Sequence, residues 1–387
     1  MTKKLLIISS YNISSWITKG EIIERYYNPG NIFEEIHLLL LNNDQPNIEL
    51  AQALFGNAKV YVYNLPEPLG FVKKSLGWQP ILMQLWANKA VKIAKTIQPS
   101  IIRCQGIYLD TYIGAVIKRK FSIPFITSLH GNPDVDYYRG RLAKNWKERI
   151  LGFLMGRLEK YCLKYIDHII AVYTPIIPYL EKNKFKNYSV IHNVVGINAS
   201  YKKNNSIQKS AVKLLCVGRQ TSLQKNPENI IRAVAAIKNT TLILIGNGEI
   251  HETLKDLAHT LGCKDRIIFH KHMINSEILN LMNESDIYVY HSINYEISKG
   301  CIEAALVGLP VILNNRFGQP AQELVDAGFL LVDDTPEAYA TAILDLISDD
   351  KKREAIAKNS HLHALQYWDP AIMEKKLVDL YKRYLPQ

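Results

Sequence analysis

VGRQTSLQKNPENI (217–230), LILIGNGE (242–249), RIIFHKHMINSEILNLMNESDIYV (266–289) and YEISKGCIEAALVGLPVI (295–312) follow one another in the second half of the chain. Each joins a short apolar run to a turn bearing glycine, arginine or glutamate, and each turn opens onto a helical period. Short continuous apolar runs separated by helices mark strands buried on both faces of a parallel sheet. Such sheets bind ligands beyond the carboxyl ends of their strands, where strand order reverses. Four such turns in order point to a site for the diphosphate and sugar of a nucleotide.

The same alternation extends outward on both sides. KLLCVGR (213–219), TTLILIGNG (240–248), DRIIFHK (265–271), SDIYVYHS (285–292), LPVILNN (309–315) and FLLVDD (329–334) are six expected strands. Helices are expected between them at about 227–238, 250–261, 276–283, 299–307 and 336–347. In the first half, KLLIISS (4–10), EEIHLLLL (34–41), AKVYVYNL (58–65), SIIRCQG (100–106), IPFITSLHG (123–131), DHIIAVY (167–173) and YSVIHNVV (188–195) repeat the scheme. Helical periods run through 81–97 and 141–165. The polar, aperiodic ASYKKNNSIQKSA (199–211) reads as a linker. The expected fold class is therefore α/β, with two doubly wound parallel-sheet domains facing across a cleft. Their expected limits are 1–198 and 212–367, and a last helix within 368–387 returns to the first domain with Trp368 at the crossing.

A chain of 387 residues suits two cores rather than one. Hydrophobic content of 48% beside 21% charged residues excludes a disordered or membrane-spanning chain. No apolar run approaches the roughly 18–20 residues of a spanning helix. The apolar stretch Leu5 to Ile8 is too short for a secretory leader and reads as a first buried strand. Cys104, Cys162, Cys216, Cys263 and Cys301 are odd in number and contain no C-x-x-C pair. They are expected to be buried thiols in a reducing cytoplasm. The net charge of +11 lies wholly in residues 1–200, where 25 Lys and Arg face 14 Asp and Glu; the remainder balances at 22 against 22. That excess favours an anionic partner of the first domain, such as an acidic glycan, a phosphorylated lipid or an anionic membrane face. Nucleic acid is not expected, because no recognised binding module or Arg-rich tract is present.

Individual residues sharpen this reading. Arg219 ends a strand, and Lys225 precedes Asn226-Pro227, a helix-start pair. Two cations at a helix N-terminus suit a diphosphate. Gly246-Asn247-Gly248 permits a close backbone approach after a buried strand. A dinucleotide fingerprint would need a further glycine where His251 stands, which argues against NAD. The β-strand end at Ile267 to His270 can offer backbone groups to a nucleobase. Glu303, at a helix start after Ser298-Lys299-Gly300-Cys301, can accept both ribose hydroxyls. His130-Gly131 ends a first-half strand, and Gly20, after Lys19, can admit an acceptor group. Asp134-Val135-Asp136 spells D-x-D, but no other ligand gathers near it, and no metal is expected. The basic run 139–165 and LGFVKKSLGW (69–78) are candidate membrane or acceptor contacts.

Together these motifs resemble glycosyltransferase family 4, retaining enzymes with the GT-B fold of two facing Rossmann-like domains. The resemblance covers most of the chain and is strongest over 212–325. VGR with Lys225, IGNG, SDIYV, EAALVGLPVI and QELV with Glu323 carry it, with SLHGNPD and the IHNVV turn in the first half. It implies a sugar transferred from a nucleotide-diphosphate donor, of UDP or GDP type, to a glycan or lipid-linked acceptor, without a cofactor. Arg219, Lys225, His130 and Glu296 would be catalytic. Gly218, Gly246, Gly248, Ile268, Lys299, Gly300, Cys301 and Glu303 would hold the donor, and Gly20 and Asn132 would border the acceptor. The chain departs from the family in one place. A first glutamate is usual eight residues before Glu303, where Tyr295 stands; Glu296 is seven away. Either Glu296 substitutes or Tyr295 fills the slot. A nucleotide-sugar epimerase of the same architecture and a non-catalytic nucleotide-binding relative are the alternatives.

Overall fold

The computed structural model describes residues 2–68, 80–134, 146–197, 212–222, 224–293, 296–315 and 322–386. The first-half strands β1 (Lys4–Ser9), β2 (Glu35–Leu40), β3 (Lys59–Asn64), β4 (Ile101–Gln105), β5 (Phe125–Leu129), β6 (His168–Ala171) and β7 (Tyr188–Val190) form one parallel sheet. Its order is β3-β2-β1-β4-β5-β6-β7. A second parallel sheet joins β8 (Val212–Val217), β9 (Thr240–Ile245), β10 (Ile267–His270), β11 (Ile287–Tyr290), β12 (Val311–Asn314) and β13 (Leu330–Val332). Its order is β10-β9-β8-β11-β12-β13. Both expected doubly wound sheets are thus present. Leu5, Leu6, Ile7 and Ile8 of β1 are all buried, as a strand covered by helices on both faces requires.

The order reverses between β1 and β4 in the first sheet and between β8 and β11 in the second. Beyond the second switch point the chain leaves β8 at Gly218 and β11 at His291. Candidate residues Gly218, Arg219 and Glu296 lie on those two exits, where a doubly wound sheet leaves a crevice.

Two compact units are found. One comprises Met1–Thr18, Ile22–His192 and Met373–Gln387; the other comprises Lys19–Glu21 and Asn193–Ile372. Residues 199–211, the expected linker, lie outside the described residues. The last helix, Pro370–Tyr384, buries Met373, Leu377, Leu380 and Tyr381. Within the first unit Glu374 pairs with Arg25 at 2.9 Å, and Tyr381 meets the Phe33 ring edge-on. Trp368 is fully buried in the second unit beside Phe329. One long helix, Asp350–Tyr367, was not anticipated from the sequence.

All five cysteines are buried free thiols. No described helix is long and apolar enough to cross a membrane. The candidate membrane segments fall partly outside the described residues: all of 69–78, and 139–145 of the second. The rest of the second forms the helix Trp146–Leu163, which exposes Trp146 and Phe153.

Candidate functional site

The site is built first from backbone. Beyond β8, the Gly218 amide donates to Ile245 O at 2.9 Å and the Gln220 amide to Asn247 O at 3.1 Å. The β8 exit and the 246–248 turn therefore continue side by side past their strands. A Cβ at Gly246 would collide with the Gly218 carbonyl, and one at Gly248 with the Gln220 carbonyl. Gly246 also has φ +145°, which disfavours any side chain. A close approach by a ligand is the expectation for these glycines; the neighbour they admit here is the adjoining loop. We expect Gly248→Ala to cost about 1–3 kcal/mol by overpacking, read as a lowered Tm. An unchanged Tm would mean that the two loops separate freely.

Arg219 points outward from this paired edge, exposed, and has no hydrogen bond or ion pair among the described residues. Lys225 belongs to a tight loop closed by Thr221. The Thr221 amide donates to Lys225 O at 3.1 Å, and Thr221 Oγ1 accepts from the Lys225 amide at 3.1 Å. Lys225 Nζ meets Glu296 Oε1 at 2.6 Å, so two of the candidate residues are joined directly. Asn226 Oδ1 accepts from the Glu228 amide at 3.0 Å. The helix itself spans Glu228–Ala236, so Pro227 lies just before it rather than at its first position.

The exit of β11 fastens the same loop. His291 is 6% exposed. Its Nδ1 accepts from the Asn226 amide at 3.0 Å, and its Nε2 lies 3.0 Å from Asp334 Oδ2. Asn229 Nδ2 donates to the Asp334 carbonyl and carboxylate. Two residues on, the Ile293 amide donates to Gln224 O at 3.0 Å. The hydrogen bond from His291 holds the Asp334 carboxyl below its usual range. Neither His291 nor Asp334 was singled out in the sequence; a histidine directly after an apolar strand was the available signal.

The helix Lys299–Leu306 is capped by Ser298 Oγ, which accepts from the Cys301 amide at 3.2 Å. Gly300 leaves room for the Tyr288 hydroxyl, which donates to Val217 O at 3.1 Å and so ties β11 to the end of β8 beneath this helix start. Cys301 is buried. Glu303 does not begin the helix, as expected, but lies one turn inside it, 7% exposed. Among the described residues its carboxylate has no hydrogen bond or ion pair. Burial pushes its pKa up to about 7, with Lys299 partly offsetting the effect.

The other candidates lie on other elements. Ile268 is on the edge strand β10, two strands from β8, with its side chain exposed. In the first unit, His130 directly follows β5. Asn132 is engaged in its own loop: Nδ2 donates to Pro175 O, and Oδ1 accepts from the Asp134 amide. Asp134 pairs with Lys182 at 2.8 Å, while Asp136 lies outside the described residues. Gly20 has φ +65° and belongs with Lys19–Glu21 to the second unit. Tyr295, the residue in the first-glutamate slot, is outside the described residues.

Two family models match adjoining parts of the chain. One, for glycosyl transferases group 1, matches residues 198–363, and the other, for Glycosyltransferase Family 4, matches 37–198. Spore coat protein SA of Bacillus subtilis is 30% identical over 186 residues, covering 44% of this chain and 48% of that protein. A D-inositol 3-phosphate glycosyltransferase of Corynebacterium urealyticum is 32% identical over 140 residues, covering 35% of this chain and 32% of that protein. The matched stretches thus span half or less of these curated relatives. The crystal structure of Anabaena Alr3699/HepE in complex with UDP has a TM-score of 0.71 at 19% identity, over 99% of this chain and 100% of that one. That likeness concerns the fold. With the two family models together spanning both sheets, the chain belongs to the family-4 type of glycosyltransferases, with the GT-B fold.

Proposed function

We propose that the chain transfers a sugar from a nucleoside diphosphate donor to a glycan or lipid-linked acceptor, with retention at the anomeric carbon. The observation that carries this reading is the group at the second switch point. An exposed guanidinium without a partner among the described residues (Arg219), an ammonium on a tight loop (Lys225) and a buried carboxylate that accepts no hydrogen bond from the described residues (Glu303) lie on the elements leaving β8 and β11. Burying a carboxylate without donors is costly unless a ligand supplies them, and ribose hydroxyls do so. Arg219 and Lys225 would neutralise the departing diphosphate, a role in which charge stabilisation is the dominant catalytic effect. With two cations serving the phosphates, no divalent metal is called for. His130 and Glu296 would contact the transferring sugar, and Gly20 the acceptor. UDP in the Anabaena relative favours a uridine donor. The basic first half of the sequence suits an acidic or lipid-linked acceptor at the cytoplasmic face of an anionic membrane.

A thermal-shift screen against UDP, GDP and ADP tests the reading. One nucleoside diphosphate is expected to raise Tm by several degrees through mass action. No shift with any of the three, at concentrations far above a millimolar Kd, would remove the donor site.

A further inference from the structure

We propose that His291, clamped by Asp334, is the positioning residue that sets the Lys225 loop in the donor site. The inference rests on the reading of Lys225 as a diphosphate-binding cation.

A backbone amide can only donate, so the Asn226 N–H fixes Nδ1 of His291 as an acceptor. The ring proton of the neutral imidazole is then on Nε2, where it is donated to Asp334. Asp334 is held in turn by Asn229 of the helix Glu228–Ala236. One buried ring thereby links the exit of β11, the exit of β13 and the loop carrying Lys225. The ring can leave Asn226 only by abandoning a part-buried amide, which makes the arrangement stiff. Two further ties join the β11 exit to this loop, Ile293 N–H to Gln224 O and Glu296 to Lys225. An arriving diphosphate competes with Glu296 for the Lys225 ammonium. Thr221 and Glu249 still close the loop on the β8 side, and His291 is then the side chain that keeps it in register with the β11 exit while the cation turns to its ligand. No residue of this relay needs to touch the nucleotide.

The test is a double-mutant cycle on binding of UDP, or of whichever of UDP, GDP and ADP stabilises the wild type, measured by titration calorimetry. His291→Leu is expected to weaken binding about tenfold, the worth of one well-placed hydrogen bond. His291→Asn, whose Oδ1 can accept from the Asn226 amide, is expected to recover most of that loss. In a Lys225→Ala background, His291→Leu is expected to cost less than about twofold, because the two act as one unit. Wild-type affinity in His291→Leu, or a full tenfold loss repeated in the Lys225→Ala background, would overturn the proposal while leaving the donor site intact. A wild type that binds none of the three nucleotides, or a Lys225→Ala variant that binds as the wild type does, would instead overturn the donor-site reading and this inference with it. If His291→Leu does not fold, Asp334→Ala, which removes the clamp and keeps the ring, enters the same cycle with the same expectations.

Discussion

Lys225→Ala and Arg219→Ala each lower sugar transfer by about two orders of magnitude or more, the usual effect of removing one preorganised charge from a developing anion. The two losses are not expected to be equal. Arg219 is exposed without a partner among the described residues, so its removal takes away one attraction and disturbs little else. Lys225 is paired with Glu296 at 2.6 Å. Truncating the lysine leaves a carboxylate facing the position assigned to the diphosphate, and the like charges repel. Lys225→Ala is therefore the more damaging change, and adding Glu296→Gln, which removes the repelling charge, is expected to recover part of the lost affinity for the nucleoside diphosphate while leaving transfer slow. The measurement is kcat and KM with the sugar of whichever nucleotide stabilises the wild type. A double variant that binds the nucleoside diphosphate no better than Lys225→Ala alone would show that the Glu296 charge does not face the diphosphate. Near-normal turnover in either single variant would count against the whole assignment of these cations.

Much of the architecture was legible because the strands are short apolar runs that read the same way buried or alone. LILI of β9 and LLII of β1 leave no alternative to a sheet covered on both faces. The helix Asp350–Tyr367 escaped for the opposite reason. Its buried side is made by Arg353, Ala357, Ser360 and Ala364, small or polar residues that give no apolar period. Arg353 stays inside by donating to the Leu346 carbonyl, a partnership invisible in one sequence. At the site, the types of residue were readable but their partners were not. Gly246 and Gly248 announce a close approach, yet only coordinates tell whether a ligand or a neighbouring carbonyl approaches. Lys225 and Glu296 stand far apart along the chain and meet because strand order reverses between β8 and β11. His291 and Asp334 become a pair for a similar reason, through β11 and β13 on either side of β12. Glu303 is expected from the sequence at a helix start, while its depth, a turn inside the helix and buried, follows from where Ser298 caps.

Replacing Glu303 should separate binding from stability in opposite directions. Glu303→Ala is expected to weaken nucleotide binding by about two orders of magnitude, the worth of two hydrogen bonds to a charged acceptor. In the same site the carboxylate burdens the folded state. Its pKa is raised from 4.5 to about 7 by burial. Between those values the unfolded chain has released the proton and the folded chain still holds it. Stability therefore falls as pH rises through this window and is level above it, for a total of about 3 kcal/mol. Glu303→Gln has no proton to release, so its melting temperature should exceed that of the wild type at pH 8 and match it near pH 4. Nucleotide affinity of the wild type should run the other way, weakening by up to about tenfold per pH unit below 7 and levelling at about the Glu303→Ala value, because the ionised form is the better acceptor for hydroxyls. Calorimetric titration and thermal melts across pH 4 to 8 read both slopes. A carboxylate kept for folding would instead show Glu303→Gln melting lower at every pH, and that result would take the ribose role away from it. A residue whose removal strengthens the fold and empties the site is one whose burial is offset by the ligand, and both slopes together would give Glu303 that role.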